Sequence, residues 1–193
     1  MTIMQEANVL ATSLAARVRA EREERGWSID QLAARSGVSR AMISKIEREE
    51  ASPTAVLLGR ISGAFGLTLS TLLARTESDA TGEGRLSRAA QQARWTDPDT
   101  GYVRRAISSP GALPELVQVE LPPNARVDYP KSAFTFLRGQ CVWVLSGTLE
   151  FIEGGYTHRL RRGDCLALGP PAECSFVNPS STAASVYLVA LTR

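Results

Sequence analysis

Residues 27–73, WSIDQLAARSGVSRAMISKIEREEASPTAVLLGRISGAFGLTLSTLL, decide the fold of the N-terminal third of the chain. The apolar residues recur at the three- and four-residue spacing of amphipathic helices, and polar start signals alternate with glycine stop signals. Ser28 has the sequence context of a capping box at the start of one short helix. Gly37 ends that helix, and Ser39 caps the next one, Arg40 to Arg48. The short connection at Gly37 therefore predicts a helix-turn-helix.

Three further helices are expected around this pair. Before it, apolar residues four apart predict a helix running to about residue 25, with one apolar stripe: Leu10, Leu14 and Val18. After it, Ser52-Pro53 predicts the start of a fourth helix, because proline suits the first helical position. A last amphipathic turn, Ser70 to Ala74, completes a five-helix bundle, which we assign to residues 10–75.

The third helix is expected to present a polar, partly basic face outward, while Met42, Ile43 and Ile46 face the core. The outward residues are Arg40, Ala41, Ser44 and Lys45. Arg40 and Lys45 carry donors suited to the O6 and N7 atoms of guanine, and the Ala41 methyl suits the thymine methyl. These residues are compatible with the major groove of duplex DNA, and the alternative interpretation of the same charges is an ordinary solvated helix face.

The N-terminal stretch resembles the DNA-binding domain of the lambda-repressor-like (XRE) family over most of Leu14 to Ala74. The shared motifs are LA in the second helix, G-V-S at the turn, I-S-K-I-E in the third helix, then S-P-T and A-F-G-L. The resemblance implies that the third helix lies in the major groove. It implies a DNA-binding set of Arg22, Ser28, Ser39, Arg40, Ala41, Ser44, Lys45 and Arg48.

Arg22 and Glu47 match positions that form an ion pair in related phage repressors. Two interpretations are open: an ion pair that braces the third helix, or two solvent-exposed side chains. We favour the brace, because Glu47 follows an apolar residue, Ile46, close to the end of the helix.

The C-terminal part changes character, since its apolar residues alternate or form short runs between glycines and prolines. Residues 76–100 are predicted to be a linker, with a short helix within Leu86 to Ala93. Residues 101–193 are predicted to form an antiparallel sandwich or barrel. Eight strands are expected: Tyr102 to Ile107, Leu116 to Leu121, Cys141 to Leu145, Thr148 to Ile152, Thr157 to Leu160, Cys165 to Leu168, Cys174 to Val177 and Val186 to Leu191.

Residues 140–181, QCVWVLSGTLEFIEGGYTHRLRRGDCLALGPPAECSFVNPSS, resemble the core of the cupin family through V-L-x-G, R-x-G-D and N-P. The match covers about Pro122 to Leu191. With the domain order, it is similar to regulators that join an XRE-type helix-turn-helix to a cupin sensor. The implied fold is multidomain α and β: a five-helix lambda-repressor-like bundle plus a C-terminal antiparallel β-barrel of the cupin or jelly-roll type.

Cupins often hold a divalent metal through histidines and a glutamate, and this chain departs from that pattern. No histidine occurs in DYPKSAFTFLRG, Gln140 stands at the glutamate position, and Cys174 stands at the last histidine position. Most ligands would be lost, so we expect no metal, no cofactor and no metal-dependent enzyme. The one histidine, His158, is expected on a strand surface.

A barrel of this size can hold one small molecule in its mouth. Strand alternation and polar chemistry suggest an effector pocket made of Tyr129, Arg138, Gln140, Val142, Cys174, Phe176 and Tyr187, for a carboxylate or amino-acid-like effector. Trp143 is expected to be a packing residue. The cysteines permit a rival hypothesis, redox sensing, although buried inert thiols are more common.

Composition excludes several classes of protein. The 193 residues are 44% hydrophobic and 22% charged, as in globular proteins, and the net charge of +2 does not by itself point to a polyanionic partner. The apolar runs are too short to cross a membrane. The first ten residues do not resemble a signal peptide and three scattered cysteines do not resemble a disulfide framework, so we expect a cytoplasmic protein.

The sequence therefore predicts a non-enzymatic, sequence-specific transcription regulator that binds double-stranded DNA as a homodimer and responds to a small-molecule effector. Two alternatives come from other classes. One is a metal-independent cupin enzyme with a DNA-binding appendage, and the other is an antitoxin-like module whose β domain holds a protein partner.

Overall fold

A computed structural model describes residues 3–74, 86–109 and 111–193, with side chains from Leu14 onward. Five helices form the N-terminal domain, as predicted: α1 (Ile3–Glu24), α2 (Ile29–Ser36), α3 (Arg40–Glu47), α4 (Ala55–Phe65) and α5 (Leu69–Ala74). Leu14 and Val18 are buried, as their spacing predicts, whereas the side chain of Leu10 lies outside the described residues. Residues 76–85 of the predicted linker also lie outside them.

Local capping explains why the helices begin and end where they do. The Ser28 hydroxyl accepts from the Gln31 amide at 3.1 Å, and the Ser28 amide donates to Gln31 Oε1 at 2.8 Å, which completes the capping box. Gly37 ends α2 in the left-handed region with φ of 66°. The Ser39 hydroxyl accepts from the Met42 amide at 3.2 Å at the start of α3. The predicted helix-turn-helix is confirmed.

The predicted start of the fourth helix at Ser52-Pro53 is wrong by two residues. The helix begins at Ala55, with Thr54 as its N-cap. The Ala55 amide donates to Asp97 Oδ2 of the second domain at 3.0 Å. The positive end of the helix dipole also stabilises a carboxylate at this position. A contact between distant residues therefore fixes this helix start.

In residues 86–109 and 111–193, the structure has ten antiparallel strands: β1 (Arg94–Thr96), β2 (Val103–Ala106), β3 (Glu115–Leu121), β4 (Arg126–Tyr129), β5 (Gly139–Ser146), β6 (Thr148–Glu153), β7 (Tyr156–Arg161), β8 (Cys165–Ala167), β9 (Cys174–Val177) and β10 (Ser185–Thr192). One sheet has the order β1-β2-β3-β10-β5-β8, and the other has the order β4-β9-β6-β7. The eight predicted strands are present. Two short strands, β1 and β4, were not expected, because their charged residues hide the apolar alternation.

The β domain is a two-sheet sandwich, and the predicted closed barrel is not observed, since no strand pairing among the described residues joins the two sheets. Side chains of the facing sheets pack between them: Phe176 of β9 stacks on Tyr187 of β10 with ring centroids 5.7 Å apart. Strand β1 lies within residues 76–100, the predicted linker, and the helix predicted within Leu86 to Ala93 is a short 3-10 helix, Ala89–Gln91.

Trp143 does not pack in the core, which corrects its expected role. It is 48% exposed, whereas its neighbours Val142 and Val144 on β5 are fully buried. Alternation along the strand places Trp143 on the outer face of the six-stranded sheet.

The two domains are joined by direct contacts of α4 and α5 with the sandwich. A Cβ atom on Gly63 of α4 would lie 2.6 Å from the Ser132 carbonyl oxygen, so only glycine allows this approach. The Thr68 hydroxyl, before α5, donates to the buried Glu115 carboxylate of β3, with the oxygen atoms 2.6 Å apart. These contacts hold the helical domain against one end of the sandwich. Within the part of the chain that the structure describes, no helix is long and apolar enough to cross a membrane.

Candidate nucleic-acid interface and ligand pocket

The α3 helix presents the face expected to read DNA. Ile43 and Ile46 are buried and anchor the helix, and Met42 is partly buried. Arg40, Ala41, Lys45 and Arg48 are exposed, and Ser44 is half-buried. The structure therefore brings these predicted DNA-binding residues onto one surface.

Arg22 and Glu47 form the predicted ion pair, so the interpretation of two solvent-exposed side chains is wrong. Arg22 Nε lies 2.7 Å from Glu47 Oε1 and Arg22 Nη2 lies 2.8 Å from Glu47 Oε2, a bidentate geometry. Arg22 Nη1 also donates to the Trp27 carbonyl oxygen at 2.8 Å. The side chains are only 11% and 7% exposed, and the hydrogen bonds that Arg22 donates to Glu47 raise the pKa of the Arg22 guanidinium. This pair ties α1 to the end of α3.

Two basic residues of the exposed face have acidic neighbours. Arg40 lies 3.3 Å from the Asp30 carboxylate, and Arg48 lies 2.8 Å from the Glu50 carboxylate, with all four side chains at least half exposed. Exposed ion pairs of this kind contribute little to stability, so they are easily exchanged for phosphate or base contacts. Ser28 and Ser39 are exposed at the starts of α2 and α3, where helix amides can hold a phosphate.

The predicted effector residues divide between two neighbouring pockets. Tyr129, Gln140, Phe176 and Tyr187 line an enclosed cavity of about 50 Å³ between the sheets and the helical domain. An adjoining cleft of about 350 Å³ is lined by Gln140, Arg138 and Cys174. Val142 is buried in the core and lines neither pocket, which corrects its assignment.

Among the polar residues of the enclosed cavity that sequence reasoning missed are two of the sandwich, Tyr102 and Arg104. Both belong to the segment predicted as the first strand, and alternation places them on the same face. The largely apolar ring of Tyr102, at an alternating position of a predicted strand, was a signal that could have indicated its burial. The charge of Arg104 concealed it, since arginines are almost never fully buried unless paired.

Among the residues described, no group of three histidine, cysteine, aspartate or glutamate side chains is close enough to hold a metal ion. His158 is partly exposed on β7, where its Nε2 lies 3.4 Å from Glu153 Oε1 and its ring stacks on Phe151.

Cys174 is expected to react slowly with thiol reagents. Burial raises the pKa of its thiol from 9.0 to about 12, so the thiolate fraction at pH 8 should be about a thousand times smaller than that of an ordinary cysteine. Peptide mass spectrometry after alkylation of dilute, monomeric protein should show faster modification of Cys141 and Cys165, which are exposed in the isolated chain, than of Cys174. The rate at Cys174 should rise steadily as the pH approaches 12. Equal rates for all three cysteines at pH 8 would support redox sensing by Cys174.

Comparison with known proteins identifies the N-terminal part. Residues 18–72 match the helix-turn-helix family HTH_3. The HTH-type transcriptional regulator SutR of Escherichia coli (strain K12) is 39% identical over 69 residues, a match that spans 36% of this chain and 39% of that regulator.

One solved structure extends the likeness in fold to nearly the whole chain. An HTH_3 family transcriptional regulator from Vibrio cholerae aligns with a TM-score of 0.77 at 20% identity, over 95% of this chain and 97% of that one. An RmlC-like cupin from Shewanella frigidimarina NCIMB 400 aligns with a TM-score of 0.43 at 17% identity, over 55% of this chain and 87% of that one.

Proposed function

Because residues 18–72 form a helix-turn-helix domain of the HTH_3 (XRE) type, we propose that this protein is a sequence-specific transcription regulator with a cupin-like sensor domain. The observation that carries the proposal is the α3 surface, which is basic, exposed and held rigidly by Ile43, Ile46 and the Arg22–Glu47 ion pair. A helix fixed in this way can enter the major groove without losing conformational freedom on binding.

In the bound state, the exposed face of α3 reads base edges. Arg40 and Lys45 donate to guanine, Ser44 serves either kind of base edge, and Ala41 contacts a thymine methyl. Ser28, Ser39 and Arg48 contact phosphates, which fixes the position of the helix without specifying sequence. Arg22 acts mainly through Glu47, so we assign it a positioning role.

Replacing Arg40 with alanine should remove the preference for one or two base pairs and cost about 1–3 kcal/mol of discrimination. Fluorescence anisotropy with the preferred duplex and single-base variants at fixed salt measures this loss. Arg48→Ala should instead weaken all duplexes alike. Arg159→Ala, an exposed arginine on β7 of the sandwich, serves as the matched control and should leave the affinity unchanged. Unchanged discrimination in Arg40→Ala would contradict the assigned reading face.

A single helix-turn-helix contacts too little DNA for tight binding, so we propose a homodimer paired through the β domains. The outer face of the six-stranded sheet supports this, since apolar residues adjoin there across three strands. Trp143 of β5 pairs with Leu188 of β10 and with Cys165 of β8, and Cys141 pairs with Ala190. An exposed apolar sheet face of this kind is typical of an interaction surface. A second copy of the chain is the occupant that would also place two α3 helices on a near-palindromic operator.

We further propose that the β domain senses a small molecule in the cytoplasm and performs no catalysis. The enclosed cavity and the adjoining cleft supply the space, and the cavity walls include residues of the DNA-binding domain. Gln140 carries no titratable group, and His158, the one histidine, lines neither the cavity nor the cleft. Turnover of a small substrate that is abolished by Gln140→Ala would instead indicate a cupin enzyme.

A further inference from the structure

The enclosed cavity has walls from both domains and a mainly apolar lining. The helical domain contributes residues of α4, α5 and the loop between them: Gly59, Ser62, Thr68 and Leu69. The sandwich contributes the remaining walls, which include Val119, Phe134 and Leu137. Arg104 is the charged residue among those that line the cavity.

Arg104 lacks a counter-charge within the described part of the chain. Its Nη2 donates to the Ser70 hydroxyl at 2.9 Å, but its Nε is shielded from solvent and has no hydrogen-bond partner. No carboxylate of the described residues forms a salt bridge with it, and its electrostatic neighbours are the hydroxyls of Tyr102, Tyr129 and Tyr187. A guanidinium stays charged in such surroundings and is costly to bury without an anion.

The three tyrosines add neutral hydrogen-bond donors around the same space. The Tyr102 and Tyr129 hydroxyl oxygens are 2.8 Å apart, so one donates to the other and a proton remains for a further acceptor. Burial raises the pKa of Tyr102, Tyr129 and Tyr187, which keeps all three protonated. One cation and several hydroxyl donors in an apolar enclosure form the complement of a singly charged oxygen anion.

We propose that this cavity binds a short-chain aliphatic monocarboxylate, with the carboxylate against Arg104 and the tyrosine hydroxyls. A cavity of about 50 Å³ has room for about three to five non-hydrogen atoms. Phe134, Leu137 and Gln140 also line the adjoining cleft, so a longer alkyl chain can extend in that direction. A dianion would leave one charge without a partner. This inference deepens the sensor part of the proposed function by naming the ligand class.

The position of the site couples the ligand to the DNA-binding domain. The Tyr129 ring lies about 3.1 Å from where a Cβ atom on Gly59 of α4 would stand, and Arg104 binds Ser70 of α5. A carboxylate bound by Arg104 and Tyr129 therefore contacts two residues that pack against the helical domain: Tyr129 against α4 and Arg104 against α5. Ligand binding and DNA binding are then linked by a free energy that acts in both directions.

The test compares propionate with its neutral isostere propionamide by calorimetric titration of the full chain. Propionate should bind at least tenfold more tightly, and Arg104→Met should abolish that preference. Arg105→Met is the matched control, because Arg105 is the next residue of β2 and bonds to Gln118 outside the cavity. It should bind propionate like the wild type. Equal affinity for the two compounds, or unchanged propionate binding in Arg104→Met, would overturn the inference.

Two further measurements distinguish loss of the ligand site from misfolding of the variant. Removal of a partly buried cation that lacks an anionic partner should leave Arg104→Met at least as resistant to thermal unfolding as the wild type. If that variant does not fold, Tyr187→Phe should weaken propionate binding several-fold, and no weakening would count against the site. DNA affinity is measured separately without ligand. A protein that binds an operator but no propionate overturns this inference alone, whereas one that binds propionate but no DNA overturns the proposed function.

Discussion

Replacing Arg22 with methionine is expected to destabilise the helical domain by about 3–5 kcal/mol, because Glu47 would keep a buried charge without its partner. The bidentate pair lies in a nearly closed environment, and Arg22 also holds the Trp27 carbonyl oxygen before α2. Urea unfolding followed by circular dichroism at 222 nm measures the change, since the signal comes mainly from the helices.

Two variants control for other effects of losing an arginine. Arg19→Met removes a pair with Glu23 one turn earlier in α1, where both side chains are more than half exposed, and should change the unfolding midpoint little. Arg22→Met combined with Glu47→Leu should recover much of the lost stability, because no buried charge remains. If Arg22→Met alone unfolds like the wild type, the ion pair does not brace α3.

Replacing Trp143 with glutamate is expected to convert a homodimer into a monomer and to lower operator affinity about a hundredfold. The substitution places a charge in the middle of the apolar face formed with Leu188 and Cys165. Burying that charge against a second copy would cost more than the interface gains. Light scattering coupled to gel filtration gives the mass, and anisotropy with a duplex carrying both half-sites gives the affinity.

Tyr156→Glu is the matched control for this prediction. Tyr156 is 75% exposed on β7, in the other sheet of the sandwich, so the variant should remain dimeric and bind DNA normally. A Trp143→Glu protein that is still dimeric would show that the subunits pair through a different surface.

The helical domain was largely predictable because its signals are local. Ser28, Gly37 and Ser39 act on backbone groups within a few residues, and the spacing of Leu14 and Val18 states directly which face is buried. The start of α4 was not predictable in this way. Ser52-Pro53 and Thr54 are competing local start signals, and the bond from the Ala55 amide to Asp97, 42 residues away, is not contained in any local pattern.

The candidate pocket was only partly predictable, since burial depends on how the two domains meet. Cys174 and Phe176 were identified from strand alternation, and Tyr129 and Tyr187 from their polar groups, but neither signal says which face of a strand a second domain covers. Arg104 was missed for that reason, because α5 closes over it. Trp143 shows the opposite error, since a large aromatic residue was assigned to the core while the strand turns it outward. Arg104 lies at the proposed ligand cavity and Trp143 at the proposed dimer surface, so both residues belong to places to which we assign function.

Selection from a random duplex library by the full-length protein tests the central claim, that α3 reads DNA sequence, most directly. We expect an enriched near-palindrome whose half-sites are centred about one helical turn apart, and binding to it that persists at physiological salt. A library that returns no enriched sequence, together with weak binding to every duplex that salt abolishes, would contradict the claim.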